Sequence, residues 1–434
     1  MNAFLTLLRE NRNYRNTWVG QVVSEIGDHF NNIAVFSLAV KVANAGQESG
    51  LIVGGVLLSR AIPAMLIGPL AGVLLDRFDR KRVMIASDLI RAVVAACFIF
   101  TVAHPSAWAL YGLSAALMIA SPFFSSGRTA ILPAIATREE LHTANSLTQT
   151  TQWTTLTIGT FLGGTSATFG FEMAFGLNAL SFLISALCIS RLQLPGRGFR
   201  PPRRSFTEAE VVRPWHEYKE GLRYMRTVPL IMGLLMVNIG WATGGGAAQI
   251  LFTLFGEIVF KRGPAGIGTV WGFAGVGLLC GGAFAYSVGR SLSFRNYKRA
   301  VSICYVIHGG SYILFSQMHH FGWALVFIAL SRAGVGVSSV LNMGQLLRIV
   351  PDAFRGRVFA TMDSIQWSVM MVSMLLAGVA FQYWDPRTIG AIAGTLSSTT
   401  AIFWGWANWK GRLPEPKHEG VEPQEIEIHG ESKA

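Results

Sequence analysis

The sequence predicts an all-α membrane protein with twelve transmembrane helices arranged as two pseudo-symmetric six-helix bundles. Three observations carry that prediction. Of 434 residues, 51% are hydrophobic and only 14% charged, a balance that excludes an average soluble chain and a disordered one. Cutting the chain where charges and turn residues cluster leaves twelve long apolar segments. About 20 residues cross a hydrocarbon core of about 30 Å, so these segments consume most of the chain and leave little for a soluble domain. Finally, the basic residues alternate between loops.

Taken in order, the first six segments are residues 15–42, 51–75, 83–103, 106–133, 144–168 and 170–192. The second six are 229–256, 265–289, 299–317, 321–349, 357–384 and 387–409. The first lacks a short apolar core with a small-residue cleavage site and is expected to remain as an uncleaved helix. Arg9, Arg12 and Arg15 precede it. Arg77, Arg80, Lys81 and Arg82 follow the second span, Arg138 the fourth, and a run from Arg197 to Arg226 the sixth. Arg290, Arg295, Lys298 and Arg299 follow the eighth, Arg355 and Arg357 the tenth, and Lys410, Arg412 and Lys417 the twelfth. The intervening loops hold mainly Lys41, Lys261, Arg262 and Arg387. This bias puts both termini in the cytoplasm. The net charge of +12 is thus spread by loop, where a nucleic-acid footprint would gather on one face.

The longest internal polar stretch falls after six spans, which divides the chain into an N-terminal bundle (1–192), a cytoplasmic linker (193–228), a C-terminal bundle (229–410) and a polar, Glu-rich tail (411–434) expected to be disordered. An internal repeat supports this plan. Leu132-Pro133-Ala134-Ile135-Ala136-Thr137-Arg138 resembles Val350-Pro351-Asp352-Ala353-Phe354-Arg355, and at the same offset Asn145-Ser146 matches Asp363-Ser364. Repeats of this kind occur in transporters whose halves rock about a central site. Cys97, Cys188, Cys280 and Cys304 lie inside predicted spans at scattered spacing, indicating neither a disulfide framework nor a zinc site.

The charged gap between the second and third spans resembles the signature of the major facilitator superfamily, Gly-x-Leu-Ala-Asp-Arg-x-Gly-Arg-Lys. Gly72, Leu74, Asp76, Arg77, Arg80 and Lys81 fit it, whereas Leu75 and Asp79 depart from it. Further pieces are similar to a subgroup of drug:proton antiporters that includes macrolide efflux proteins and the enterobactin exporter. These are Gly20-Gln21 and Gly27-Asp28 in span one, Pro63 with Gly68-Pro69 in span two, and Ser87-Asp88-Leu89-Ile90-Arg91-Ala92 in span three. Ala144-Asn145-Ser146, Leu177-Asn178-Ala179-Leu180 and Arg355-Gly356-Arg357-Val358 complete the set. The resemblance implies the major facilitator fold, alternating access, and a conformational latch in which Asp76 holds the start of span eleven or Arg357. Arg77, Arg80, Lys81, Asp88, Arg91 and Asp363 would join that latch, with Arg80 and Lys81 serving nearby acids.

Charges within spans point to the transport chemistry. Glu25 and Asp28 lie about 14 and 18 Å into span one and share a helix face. Arg60 reaches a similar depth, and Arg332 in span ten lies near mid-membrane. Such groups cost about 2.5 kcal/mol or more each unless paired or facing water. Close carboxylates repel when both are ionised, which suits proton exchange. The expected function is therefore a secondary transporter that exports amphipathic small molecules in exchange for protons, with Glu25, Asp28, Arg60 and Arg332 at the coupling and binding site. Alternatives are a dedicated siderophore or metabolite exporter and a lysophospholipid flippase. A non-transporting signalling protein is a rival of another class, against which the mid-span charges argue. No nucleotide loop ending in Gly-Lys-Ser or Gly-Lys-Thr is present, so a proton gradient rather than ATP is expected to drive transport. Neither an enzyme nor a metal site is indicated. The expected partners are a small-molecule substrate and the lipid bilayer, with the chain a monomer.

Overall fold

The structure, a computed structural model, describes residues 2–75, 77–137, 139–193, 214–289 and 292–415. The first half comprises α1 (Asn2–Glu10), α2 (Arg12–Val42), α3 (Ser49–Leu75), α4 (Arg80–Cys97) with its short continuation α5 (Phe100–Ala103), α6 (Ala107–Ile135), α7 (Glu140–Thr168) and α8 (Phe171–Ser190). After α9 (Pro214–Thr227), the second half comprises α10 (Pro229–Leu254), α11 (Gly263–Gly289), α12 (Phe294–Gln317), α13 (Phe321–Ile349), α14 (Asp352–Ala380) and α15 (Pro386–Trp409). The boundaries follow local chemistry. Asn11, Asp79, Ser293 and Asp385 accept backbone N–H groups at the starts of α2, α4, α12 and α15, satisfying donors that a helix start leaves open. Pro229 and Pro386 sit in first turns, where proline costs no hydrogen bond.

Eight of the long helices contain a stretch long and apolar enough to cross a membrane. The other four, α2, α7, α12 and α15, are also long but more polar, and in α2 and α7 part of that polarity is buried. Thr17, Gln21, Ser24, Asn31 and Ser37 of α2 are buried, as are Thr151, Thr155, Thr157 and Thr160 of α7. The all-α two-bundle architecture is as the sequence predicts. The residues assigned to the cytoplasmic linker include the helix α9. Its Met225 is buried, and Tyr224 stacks on Phe354 of α14 with ring centroids 4.7 Å apart. Likewise Leu413, assigned to the tail, is buried and its carbonyl accepts a 3.0 Å hydrogen bond from Lys298 Nζ. The rest of the tail, 416–434, lies outside the described residues, as does linker segment 194–213.

The cores show how the halves are joined. At the end away from the termini one continuous cluster unites them: Ile33 to Val40, Val53, Phe171 and Phe175 from the first half, and Leu251, Phe252, Phe255, Ile267, Met374 and Phe381 from the second. At the terminal end each half has its own core, built around Tyr14, Met84 and Ile189 in one and Leu230, Tyr297 and Trp404 in the other. Small residues permit the close approach at the joined end. A Cβ on Gly164 of α7 would lie 2.9 Å from the Pro264 carbonyl oxygen and 3.0 Å from Gly268 Cα of α11. There Ser37 Oγ also donates to Glu257 Oε2 across the halves at 2.9 Å, where α10 ends in the π turn Phe255–Val259.

Candidate functional site

Glu25 sits about 20 Å along α2 from Arg12, between α6 and α7. Arg128 Nη1 of α6 pairs with Glu25 Oε1 at 3.1 Å, and Thr155 of α7 donates to Oε2 at 2.7 Å. Gln21, one turn earlier on the same face, donates to Oε1 at 2.9 Å and to the Thr148 carbonyl at 3.3 Å. The Glu25 side chain keeps 21% of its surface accessible and Arg128 11%, so the pair is held by protein yet in contact with the space between helices. A cleft of about 30 Å³ lined by Tyr14, Thr17, Gln21, Arg128 and Thr148 reaches the Arg128 side of this pair from the terminal end of the first half. That volume holds one or two water molecules.

Asp28, one turn further, lies within electrostatic reach of Arg91, Arg60, Glu25 and Asp88. Its Oδ1 is buried without a hydrogen-bond partner, as is Arg60 Nη1. Asp28 and Arg60 thus share a neighbourhood but not an ion pair among the described residues. Arg91 is instead paired with Asp88 one turn away on α4, and its guanidinium lies 4.6 Å above the Phe124 ring and 4.3 Å above Phe182. Asp88 is fully buried and Arg91 only 3% exposed. Grouping these two with the loop by sequence placed them too near the helix end. Because α4 begins at Arg80, Arg91 stands about 16 Å along it and joins the charges around Asp28.

The loop residues have other partners. Asp76 lies outside the described residues. Arg77 is exposed, Arg80 Nη1 donates to the Ala130 carbonyl at 2.8 Å, and Lys81 Nζ donates to the Leu192 carbonyl at 2.8 Å. Lys81, expected on an acid, therefore caps the end of α8, where carbonyls carry partial negative charge. Asp79, which departs from the signature, accepts from Arg82 N at 3.0 Å and starts α4. Gly72 has no atom of another helix within 4 Å of where a Cβ would stand, among the described residues. Arg357 pairs with Glu220 of α9 at 3.0 Å, and Asp363 is exposed on α14. Gly72 thus makes no close contact with α14 among the described residues.

In the second half Arg332 of α13 is 7% exposed and lies 4.9 Å over the Phe252 ring. The structure therefore separates the four predicted coupling residues: Glu25, Asp28 and Arg60 occupy one bundle, Arg332 the other. Sequence depth-counting did not assign Arg128 to Glu25, because its Cα lies nearer the helix end and a long arginine reaches along the axis. The available signal was an arginine inside an apolar span, with Gln21 four residues before Glu25 on its face.

The profile described as Major Facilitator Superfamily matches residues 17–374. The chain belongs to that superfamily. It is a membrane transporter, and its relatives include exporters. An MFS-type transporter, YfiS of Bacillus subtilis, is 27% identical over 384 residues, covering 87% of this chain and 88% of the relative. Macrolide efflux protein A of Streptococcus pyogenes is 22% identical, covering 89% and 93%. The enterobactin exporter EntS of Citrobacter koseri is 27% identical over 82% of each chain. Among solved structures, a bacterial homolog of the human lysosomal transporter Spinster matches with a TM-score of 0.68 at 12% identity, covering 94% of this chain and 99% of the other. Within the major facilitator fold, the site described above lies in the first bundle, between the joined end and the separated one.

Proposed function

We propose that this transporter exports amphipathic small molecules from the cytoplasm in exchange for protons, with Glu25 as the principal proton carrier and Asp28 as a second. The carrying observation is the Glu25 carboxylate, partly accessible and held by Arg128, Thr155 and Gln21 midway along the helices. Protonation of Glu25 removes its charge and releases Arg128, so proton binding and the α2–α6 link are coupled. A neighbouring carboxylate, Asp28, carries a buried oxygen without a partner among Arg60 and Arg91. Each acid can therefore bind a proton or a cationic group of the substrate in alternation with attraction to these arginines.

Alternating access follows from the two ends. If the basic loops lie in the cytoplasm of the inner membrane, the separated end opens inward and the joined end closes the outside. The hydrogen bond from Ser37 to Glu257 would then be an outer-gate contact, and the cleft beside Arg128 a water route from the cytoplasm to Glu25. Macrolide and enterobactin export by relatives supports outward movement of bulky amphipathic cargo. In proteoliposomes with an imposed pH gradient, Glu25→Gln and Asp28→Asn should each lose transport while eluting as monodisperse protein. Full gradient-driven transport in both single variants would sink the proposal. Substrate-dependent proton release by one compound out of a chemically varied set would instead favour a dedicated metabolite or siderophore exporter.

A further inference from the structure

A second polar centre lies in the other bundle, on residues that proton exchange does not use. Four helices meet around the Phe252 ring. Trp271 of α11 stands edge-on to it at 5.0 Å, Tyr312 of α12 is tilted at 6.3 Å, and the Arg332 guanidinium lies over it at 4.9 Å. Arg332 Nε, Tyr312 OH and Trp271 Nε1 are all buried, and each lacks a hydrogen-bond partner. Arg332 makes no ion pair among the described residues. The nearby His308 is already occupied, its Nδ1 lying 2.8 Å from Ser331 Oγ.

Buried polar groups are nearly always satisfied, and an unpaired cation inside a membrane bundle is costly. Here an N–H of a guanidinium, an indole N–H and a phenol O–H gather around one ring, with no carboxylate paired to them among the described residues. Arginine and indole can only donate, so the chemistry that completes the set is an acceptor bearing negative charge. The aromatic surroundings, Phe252, Phe315 and Tyr312 itself, suit an organic anion with an apolar body better than a strongly hydrated ion.

We propose that Arg332, Tyr312 and Trp271 form an anion subsite that takes the carboxylate of the transported molecule. This rests on the export reading above and narrows its cargo to anionic or zwitterionic amphiphiles. A zwitterion would direct its ammonium toward Glu25 and Asp28 in the first bundle and its carboxylate toward Arg332 in the second, linking the halves through the substrate.

The test uses purified full-length protein and a matched fluorescent pair, dansylglycine and its neutral amide dansylglycinamide. Dansylglycine should bind about tenfold more tightly than the amide, the gain of one charge-assisted contact. Arg332→Gln should bring that ratio close to one, Arg332→Lys should keep part of it, and Tyr312→Phe should reduce it about threefold. Equal binding of both probes by the wild type, no binding of dansylglycine, or an unchanged ratio in Arg332→Gln would each overturn the assignment. So would Arg332-dependent binding of chloride, titrated against gluconate at constant ionic strength, with no preference between the probes. That result would give the cluster a small resident anion instead of a substrate carboxylate. Absence of proton-driven efflux of either probe by the wild type would count against the export reading alone, since the acid-to-amide binding ratio is read separately.

Discussion

The centres of the two bundles have opposite electrostatic designs. Glu25, Asp28 and Asp88 in the first half stand among Arg60, Arg91 and Arg128, so opposite charges are matched and two ion pairs form. In the second half Arg332 stands over an aromatic ring with no ion pair among the described residues, and Asp363 is exposed elsewhere. Two bundles related by a sequence repeat have thus kept their helix plan and diverged in charge. A balanced centre can be rearranged by a proton alone. A bare cation responds to an anion that arrives from outside, so the two halves answer to different ligands.

The sharpest way to break this comparison is to remove charge from the balanced side. In Glu25→Gln the Arg128 guanidinium loses its anion, and breaking one partner of a mostly buried pair costs about 3–5 kcal/mol. Transport driven by a pH gradient should fall at least about 100-fold, while Arg332→Gln should leave the pH dependence of transport in place. If Arg332→Gln abolished the pH dependence and Glu25→Gln did not, the assignment of proton to one half and anion to the other would be reversed.

Much of this was legible in the sequence. The twelve expected segments agree with the observed long helices to within a few residues at most boundaries, because charges and capping residues mark where apolar runs stop. The pairing of Asp88 with Arg91 was visible as an i, i+3 spacing. The partner of Glu25 was not. Which of several buried arginines meets an acid depends on helix rotation and side-chain reach, and axial depth reports neither. The same holds for the Phe252 cluster, whose four contributors come from four helices and share no local pattern.

A second prediction concerns the two ends. Gly164 meets backbone atoms of Pro264, Ala265 and Gly268 within 3.2 Å of a hypothetical Cβ, and backbone cannot give way as a flexible side chain can. Gly164→Val should wedge the joined end apart at a cost of about 1–3 kcal/mol, changing the ratio of states about tenfold. With the native Cys97, Cys188, Cys280 and Cys304 replaced, a cysteine at Ser37 should become about tenfold faster to label with a membrane-impermeant maleimide added from outside. An unchanged rate would mean that the α7–α11 crossing does not hold that end closed.

Smaller effects separate the caps at the two ends. Asp79 at the terminal end holds a single backbone donor, Arg82 N, so Asp79→Ala should cost about 1 kcal/mol of stability. It should leave maleimide labelling at the joined end unchanged, since the α4 cap lies in neither contact between the halves. A labelling change of the Gly164→Val size would show that the two ends are coupled through α4.

The smallest expected effect is a pH dependence at Asp385, in the turn before α15. Its carboxylate accepts from the Thr388 hydroxyl at 2.6 Å and from the backbone N–H groups of Arg387 and Thr388 at 2.9 and 3.2 Å. These bonds, the hydroxyl's first, hold the carboxyl below its ordinary range. A group whose folded-state affinity for protons is depressed stabilises the fold above its unfolded-state value, near 3.9, and loses that contribution as pH falls through its folded-state value. The group is mostly exposed, so solvent screening keeps the charge contribution to a few tenths of a kcal/mol within a total capping effect of about 1 kcal/mol. Thermal denaturation of Asp385→Ala should therefore lie slightly below wild type at pH 7, with the gap narrowing as the pH is taken from 5 toward 3. A gap that stays constant would assign the effect to lost turn geometry. A gap that widens in acid would reverse the sign and remove Asp385 as an anionic cap of α15.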